Sequence, residues 1–377
     1  MTFHAVGEHR IETDGPLRLV VVGAGGMGRA WTGAIGANDD AELVGIADLA
    51  PAAAESAAEA TGIAGLAVGS DAVELARRTG ADAIVNATIP EAHHPVTMAA
   101  LLAGLPVLGE KPVAASVAEG LSLAAAAEHT GQLFMVSQSR RYHRYLHEAK
   151  RRLDPLGTIG IVSVDFFQSP HFGGFRDEMA SPLLLDMAIH QFDMARFLLD
   201  ADPVSVSCEE YNPAWSWYDG DAAAAAVFAM EGGARFTFNG SWCSPGFETS
   251  WNGAWRISAE RGTVLWDGEG EPTAAPDEAT TPADDPGLGI AGSLREFIAA
   301  VRHGTEPMGR VHANVMSLAM VEAATQSASQ GRRVVIDDVL DRSYHAALAT
   351  ERNAEVLAVM KAWPSVRDAL NQRSDSE

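Results

Sequence analysis

Gly23-Ala24-Gly25-Gly26-Met27-Gly28 fits the spacing G-x-G-x-x-G. Glycines at those three places allow a tight turn, a close backbone approach to a pyrophosphate, and close packing of the helix that follows. The pattern carries weight only between a strand and a helix. Here the apolar run Leu19–Val22 precedes it and a helical stretch opens at Met27. Gly25, Gly26 and Met27 then lie at a helix N-terminus, where free N–H groups and the positive dipole end favour phosphate. Without a ligand the same residues would form a glycine-rich turn and nothing more. Asp48 closes the next apolar run, 25 positions beyond Gly23. A carboxylate there accepts hydrogen bonds from adenosine ribose hydroxyls and repels a 2′-phosphate. Leu49 and Ala50 follow, with no Arg, so the segment predicts NAD over NADP. Asp48 also reads as a helix N-cap before Pro51, and the two roles are compatible.

Two further segments have chemistry-bearing residues. In Gly109-Glu110-Lys111-Pro112 the lysine follows a short apolar strand, at the edge where open α/β sheets bind ligands. Proline after it removes a backbone donor and stiffens the chain, which suits a fixed ammonium group. A solvated lysine in a surface turn is the plain alternative. In Leu183–Asp193, Asp186 and His190 are four apart, on one face of a helix, among Leu, Met, Ile and Phe. Partial burial obliges such groups to pair, and an Asp–His pair fixes the imidazole tautomer as a general base requires. A helix-stabilising ion pair is the bland alternative. Metal ligation lacks a third and fourth ligand at convincing spacing, so no metal is expected.

The elements that must position these residues fall into two patterns. From Leu17 to Val136 apolar runs (Leu17–Val22, Glu42–Ala47, Ala83–Ala87, Pro106–Leu108, Leu133–Ser137) alternate with helical stretches (Met27–Gly36, Ala50–Thr61, Val73–Thr79, Pro95–Ala103, Val117–Glu128). That rhythm predicts βαβ units and a doubly wound parallel sheet, an α/β domain over 1–138. From about Ser139 a basic helix Arg140–Leu153 and a strand Ile159–Gln168 lead to one helix, Leu183–Leu199. The strands Val204–Glu210, Ala222–Met230, Ala234–Trp242, Ala254–Ala259 and Thr263–Asp267 follow. Successive strands with turns such as Glu231-Gly232-Gly233 predict a large, mostly antiparallel open sheet in an α+β domain over 139–377. Gly270–Gly287 reads as an exposed loop, Ser293–His303 and His312–Ser329 as helices, and the end from Asn371 as a polar tail.

In this order, the fingerprint Gly23–Gly28, the segment Thr88–His94, Glu110-Lys111-Pro112 and the Asp186…His190 helix resemble the Gfo/Idh/MocA oxidoreductases. The resemblance runs from about Arg18 to about Val335. It implies that Lys111, Asp186 and His190 are the catalytic residues and that Glu110 lies beside the cofactor. The family's Thr-Pro-x-x-x-His turn next to the nicotinamide falls on Thr88-Ile89-Pro90-Glu91-Ala92-His93-His94, with Ile89 as an extra residue. Thr88, Pro90 and one histidine are then cofactor contacts, and the reading leans to His94 over His93. The family's glycines before the Asp helix are replaced by Ser181-Pro182-Leu183. Tyr142, Gln168 and His171 fall where relatives hold substrate.

These roles imply oxidation of an alcohol carbon with NAD as hydride acceptor. His190 would take the hydroxyl proton, Lys111 would polarise the oxygen, and Asp186 would orient the substrate or His190. Six tryptophans lie between Tyr211 and Trp266, and such rings suit the C–H faces of a sugar. Packing in the sheet core or a subunit interface is the better account of most of them. A neutral sugar or polyol resembling inositol is the expected substrate, with a homodimer or homotetramer formed through the second sheet. NAD-dependent glycoside cleavage and a catalytically silent sensor of sugar or NAD are the alternatives the family admits.

Composition bounds all of this. The 377 residues carry 27 Lys+Arg against 50 Asp+Glu, a formal charge of −23, and 47% are hydrophobic. That length predicts two or three domains. The acid excess excludes a nucleic-acid partner and disfavours an anionic membrane. Met1–Pro16 has no apolar core of a leader, no apolar run reaches bilayer length, and two cysteines give no disulfide framework. A cytoplasmic location is the expectation.

Overall fold

The computed structural model describes residues 11, 15–277 and 285–371. The expected polar tail past Asn371, most of the opening segment and the middle of the acidic loop lie outside them. Within 17–137 six strands alternate with five helices: β1 (Leu17–Val22), α1 (Gly26–Gly36), β2 (Ala41–Ala47), α2 (Pro51–Thr61), β3 (Ala67–Gly69), α3 (Ala72–Thr79), β4 (Ala83–Asn86), α4 (Pro90–Leu102), β5 (Val107–Glu110), α5 (Val117–Thr130) and β6 (Phe134–Ser137). The strands form one sheet, ordered β3-β2-β1-β4-β5-β6, and every pairing is parallel. Parallel strands covered by helices on both faces need continuous apolar runs, and all four residues of β4, β5 and β6 are buried. The strand order reverses between β1 and β4, the place where doubly wound sheets bind nucleotides.

Two differences from the sequence reading matter here. The strand β3 has three residues and no apolar run to announce it. The helix α4 begins at Pro90, five residues before the expected start, and carries Pro95 within it. Pro90 stands in the first turn, where a missing N–H costs nothing. Thr88 through His94 therefore form a turn and the opening of a helix.

Beyond a short 3-10 turn at Ser139–Tyr142 come α6 (Arg144–Leu153) and β7 (Ile159–Phe167), then a π-helical segment Leu183–Ala188 continuous with α7 (Ile189–Leu199). The single expected helix over Leu183–Leu199 is thus two geometries, and its first part is wider than an α-helix. The strands β8 (Pro203–Tyr211), β9 (Ala223–Met230), β10 (Arg235–Ser241), β11 (Ala254–Ala259), β12 (Gly262–Trp266) and β13 (Thr273–Ala275) follow. The strand β13 lies in the segment expected to be loop throughout. The helices α8 (Gly289–His303) and α9 (Val311–Gln330), the strand β14 (Val334–Val335), and the helices α10 (Ile336–Thr350), α11 (Ala354–Ala362) and α12 (Val366–Leu370) complete the chain.

The second sheet has eight strands in the order β13-β12-β11-β7-β10-β9-β8-β14, antiparallel except for β7 with β10. Burial alternates along β7 and β10, so one face meets the core and one meets solvent. On the core face Phe192 of α7 lies edge-on to Phe228 and Phe238, with ring centroids 4.8 and 5.4 Å apart.

Contacts divide the described residues into two units. One holds everything up to Ser139 together with Gly287–Val315 and the residues from Asp341 on; the other holds Arg140–Pro286 and Met316–Leu340. The expected second domain, a single stretch from 139 to 377, therefore lends two stretches to the first unit. The helix α8 packs on α1 and β6, and α11 packs on α5. The buried Glu128 of α5 ties them in, accepting from Trp363 Nε1 at 3.0 Å and lying 2.8 Å from His312 Nε2.

Candidate active site

The glycine turn joins β1 to α1. Gly23 has φ +99°, in the left-handed region, and a Cβ there would lie 2.6 Å from the Ala87 carbonyl oxygen. A Cβ on Gly28 would lie 1.8 Å from the Gly23 carbonyl oxygen, so α1 packs against the turn only because that residue is glycine. Around Gly25 and Gly26 a Cβ would meet nothing within 4 Å, and Gly25, Gly26 and Met27 are exposed. The N-cap Gly25 has no side chain to satisfy the first N–H groups of α1, which stand open to an anion. Asp48 holds the turn from β2. Its Oδ2 accepts from Ala24 N and its Oδ1 from Ala50 N, both at 2.8 Å. Each carboxylate oxygen keeps a second lone pair for a ribose hydroxyl. The expected N-cap role of Asp48 does not hold: the N-cap of α2 is Ala50, with no side-chain cap, and Asp48 instead closes a turn ahead of it. The cradle as a whole fits a dinucleotide.

At the end of β5, Glu110 is buried, its Oε1 accepting from Trp31 Nε1 of α1 at 2.8 Å and its Oε2 from Lys111 N at 3.2 Å. Burial raises its pKa, opposed by the Trp31 bond and the Lys111 charge. Glu110 therefore reaches the cofactor turn through α1 and fixes the backbone of the lysine that follows. Lys111 itself is half-buried.

Of the two histidines it is His93, not His94, that joins the Thr88 turn to the lysine segment. His93 Nδ1 lies 2.6 Å from the Pro112 carbonyl oxygen and Nε2 lies 3.0 Å from that of Thr88. A neutral ring carries one N–H and donates to one of these carbonyls. Burial lowers its pKa against the pull of both. His94 turns instead toward α5, where Nε2 sits 3.1 Å from Ser122 Oγ, and Ser122 donates to Glu351. The sequence leaned to His94; helical geometry from Pro90 onward sends the two rings different ways. Asn86 completes the corner, accepting from Thr88 Oγ1 at 2.7 Å and donating to the His93 carbonyl at 3.1 Å.

In the second unit Asp186 lies in the π-helical segment and His190 in the first turn of α7, where it is 7% exposed. Asp186 Oδ2 accepts from Arg176 Nε at 2.6 Å. Arg176 sits over Phe172 and Phe175, 5.1 and 4.8 Å from their ring centroids. Sequence reasoning missed this arginine, because it reaches Asp186 from a Gly-Gly loop with no helical spacing to signal it. Tyr142 is 2% exposed. Gln168 is also buried, and its amide donates to the Thr249 carbonyl. His171 is exposed and stacked on Trp217 with centroids 3.7 Å apart. Trp242, Trp255 and Trp266 are core residues, and Trp215 is largely exposed. Among the described residues no group of three or more His, Cys, Asp or Glu could hold a metal ion.

Comparison with known proteins follows the same division. A family model described as an oxidoreductase family with an NAD-binding Rossmann fold matches residues 17–138. A second, the GFO/IDH/MocA C-terminal domain, matches 146–265. The chain is 27% identical to an inositol 2-dehydrogenase of Rhizobium meliloti, over 85% of this chain and 99% of that protein. It is 26% identical to a D-apiose dehydrogenase of Paraburkholderia graminis, over 78% of this chain and 83% of that protein. A crystal structure of an oxidoreductase from Agrobacterium radiobacter, in complex with NAD+, L-tartaric acid and magnesium, superposes with a TM-score of 0.76 at 21% identity. It covers 86% of this chain and 99% of its own, and at that identity the likeness is one of fold. With both halves of the family pattern present in order, the chain belongs to the Gfo/Idh/MocA oxidoreductases, enzymes built on an NAD-binding Rossmann domain.

Proposed function

We propose that the protein is an NAD-dependent dehydrogenase that oxidises a secondary alcohol of a neutral sugar or polyol of the inositol kind. NAD supplies the hydride acceptor. Within the protein, His190 takes the hydroxyl proton, Lys111 donates to the same oxygen and stabilises its developing charge, and Asp186 orients the substrate. The observation that carries the reading is Lys111 held at the carboxyl end of a buried strand by Glu110, on the same sheet edge as the glycine turn. Relatives named as inositol and apiose dehydrogenases support the substrate class. A buried imidazole on a helix in the second unit supports the base.

A homodimer or homotetramer goes with this reading. Ile161, Val204, Val227 and Leu265 are exposed on the second sheet among Asp165, Arg235, Asn239 and Arg256, a mixed face that a second copy would cover. Both cysteines are free thiols, which fits a cytoplasmic, reducing location, and no helix of the described residues is long and apolar enough to cross a membrane.

The test is purified protein incubated with NAD and a panel of sugars and polyols. NADH absorbance that grows with one substrate supports the dehydrogenase. Product without net NADH supports NAD-dependent glycoside cleavage instead, and NAD binding without turnover supports a sensor.

A further inference from the structure

Asp186 reaches the surface of the second unit beside a cation. Its side chain is 20% accessible, and that of Arg176, whose Nε donates to Asp186 Oδ2 at 2.6 Å, is 34% accessible. Only the Nε edge of the guanidinium is committed. Among the described residues Nη1 and Nη2 have no hydrogen-bond partner, and neither atom is buried. The arginine is fixed in place. Its guanidinium lies 5.1 and 4.8 Å from the ring centroids of Phe172 and Phe175, and Phe172 lies edge-on to Trp242 at 5.6 Å. The Asp177 and Ala180 carbonyls accept from Asp219 N and Asp221 N, both at 2.8 Å, and so anchor the loop on either side.

A guanidinium donates through a planar fork, and a carboxylate accepts. Side by side and accessible, the two present paired donors next to an acceptor, with no net charge. A vicinal diol is the complement. Its two oxygens accept from Nη1 and Nη2, and one of its hydroxyls donates to Asp186. A carboxylate ligand would meet the fork but also the charge of Asp186 beside it. Phe172 and Phe175 are exposed, and their rings add apolar faces suited to the C–H groups of a sugar or cyclitol. As a strap for the loop alone, an ion pair this accessible would contribute little.

We propose that Arg176 determines substrate specificity, its Nη1 and Nη2 donating to two vicinal hydroxyl oxygens beside the carbon that is oxidised. The proposal rests on the reading that Asp186 orients the substrate. Steady-state rates with NAD on myo-inositol and D-glucose, each beside the deoxy analogue that lacks a hydroxyl next to the oxidised carbon, test it. In wild type the missing hydroxyl should lower kcat/KM about tenfold. Arg176→Met and Arg176→Lys should lower it about tenfold on the full substrate, mostly through KM, and less than about twofold on the analogue, where the bond is already absent. KM for NAD should stay within about twofold of wild type. Arg176→Lys keeps the charge beside Asp186 and loses the fork, so it carries the test if Arg176→Met does not fold. Losses that multiply, or wild-type rates in Arg176→Lys, overturn the proposal, since Arg176 would then act through the fold or by charge alone. A wild-type preference for D-glucuronate over D-glucose that Arg176→Met abolishes also overturns it, and assigns the fork to a carboxylate. Failure of the parent reading shows separately, as an Asp186→Asn protein with wild-type kcat and KM on the same substrates.

Discussion

Trp31 Nε1 donates to Glu110 Oε1 at 2.8 Å, a buried bond between the helix that opens at the glycine turn and the strand that ends at Lys111. It couples the phosphate end of the site to the residue proposed to polarise substrate. Removing the acceptor leaves a fully buried indole N–H unmet. We expect Glu110→Ala to lose about 1–3 kcal/mol of stability in denaturant titration and to weaken NAD binding. Glu110→Gln keeps an acceptor at Oε1 and should fold close to wild type.

The glycines of the turn separate into two kinds. A Cβ on Gly28 meets the Gly23 carbonyl at 1.8 Å, so Gly28→Ala should destabilise the fold by about 1–3 kcal/mol or more. A Cβ on Gly25 meets nothing within 4 Å of the protein. Gly25→Ala should therefore melt like wild type while binding NAD more than about tenfold more weakly, because the new methyl stands where the pyrophosphate approaches. Melting curves and NAD titration of the two variants distinguish these effects directly.

Asp48 is expected to carry the preference between cofactors. Its carboxylate accepts two backbone N–H groups, so the charge is fixed in place beside the ribose position. Asp48→Asn keeps an acceptor and removes the repulsion of a 2′-phosphate. The ratio of kcat/KM with NAD to that with NADP should fall about tenfold or more. An unchanged ratio would leave Asp48 with only the two backbone bonds that hold the turn.

The first sheet was legible because parallel strands buried on both faces must read as unbroken apolar runs. The glycine motif was legible because a pyrophosphate constrains backbone, and so residue type, at fixed spacing. What escaped the sequence is of another kind. The strand β3 is too short to show a pattern, and α10 to α12 pass through mixed sequence with no motif. That α11 returns to α5 depends on buried partners such as Glu128 and Trp363, 235 positions apart. The widening of the helix at Leu183–Ala188 and the Arg176–Asp186 bond arise from tertiary packing, which the four-residue spacing of Asp186 and His190 does not encode. That His93 and His94 turn to different partners follows from one helix start, a feature local sequence reports poorly.

Lys111 and His190 are expected to act on the chemical step more than on the cofactor. Lys111→Met and His190→Asn should each lower kcat/KM by about 10²- to 10⁴-fold, with NAD affinity within about threefold of wild type. Steady-state rates on whichever substrate the panel yields, beside calorimetry, check both halves. Wild-type rates in both variants would remove these residues from the mechanism.

Glu210 gives the second unit a pH dependence of stability. Burial pushes its carboxyl from the ordinary 4.5 up to about 7, with the charge of Asp221 adding and a bond from Ser181 opposing. It lines a cavity of about 520 Å³ together with Ser181, Asp221, Glu322 and Thr325. Because the folded pKa lies above the unfolded one, the contribution to stability is complete below pH 4.5 and is lost as pH rises through about 7. Glu210→Gln stays neutral throughout. The variant should match wild type near pH 4.5 and exceed it above pH 7. The gain is about 1 kcal/mol, once the shift is discounted for the solvent that reaches this half-buried group. Denaturant titrations at the two pH values measure it. Equal stabilities at both would mean that the carboxylate is as well solvated in the fold as in the unfolded chain.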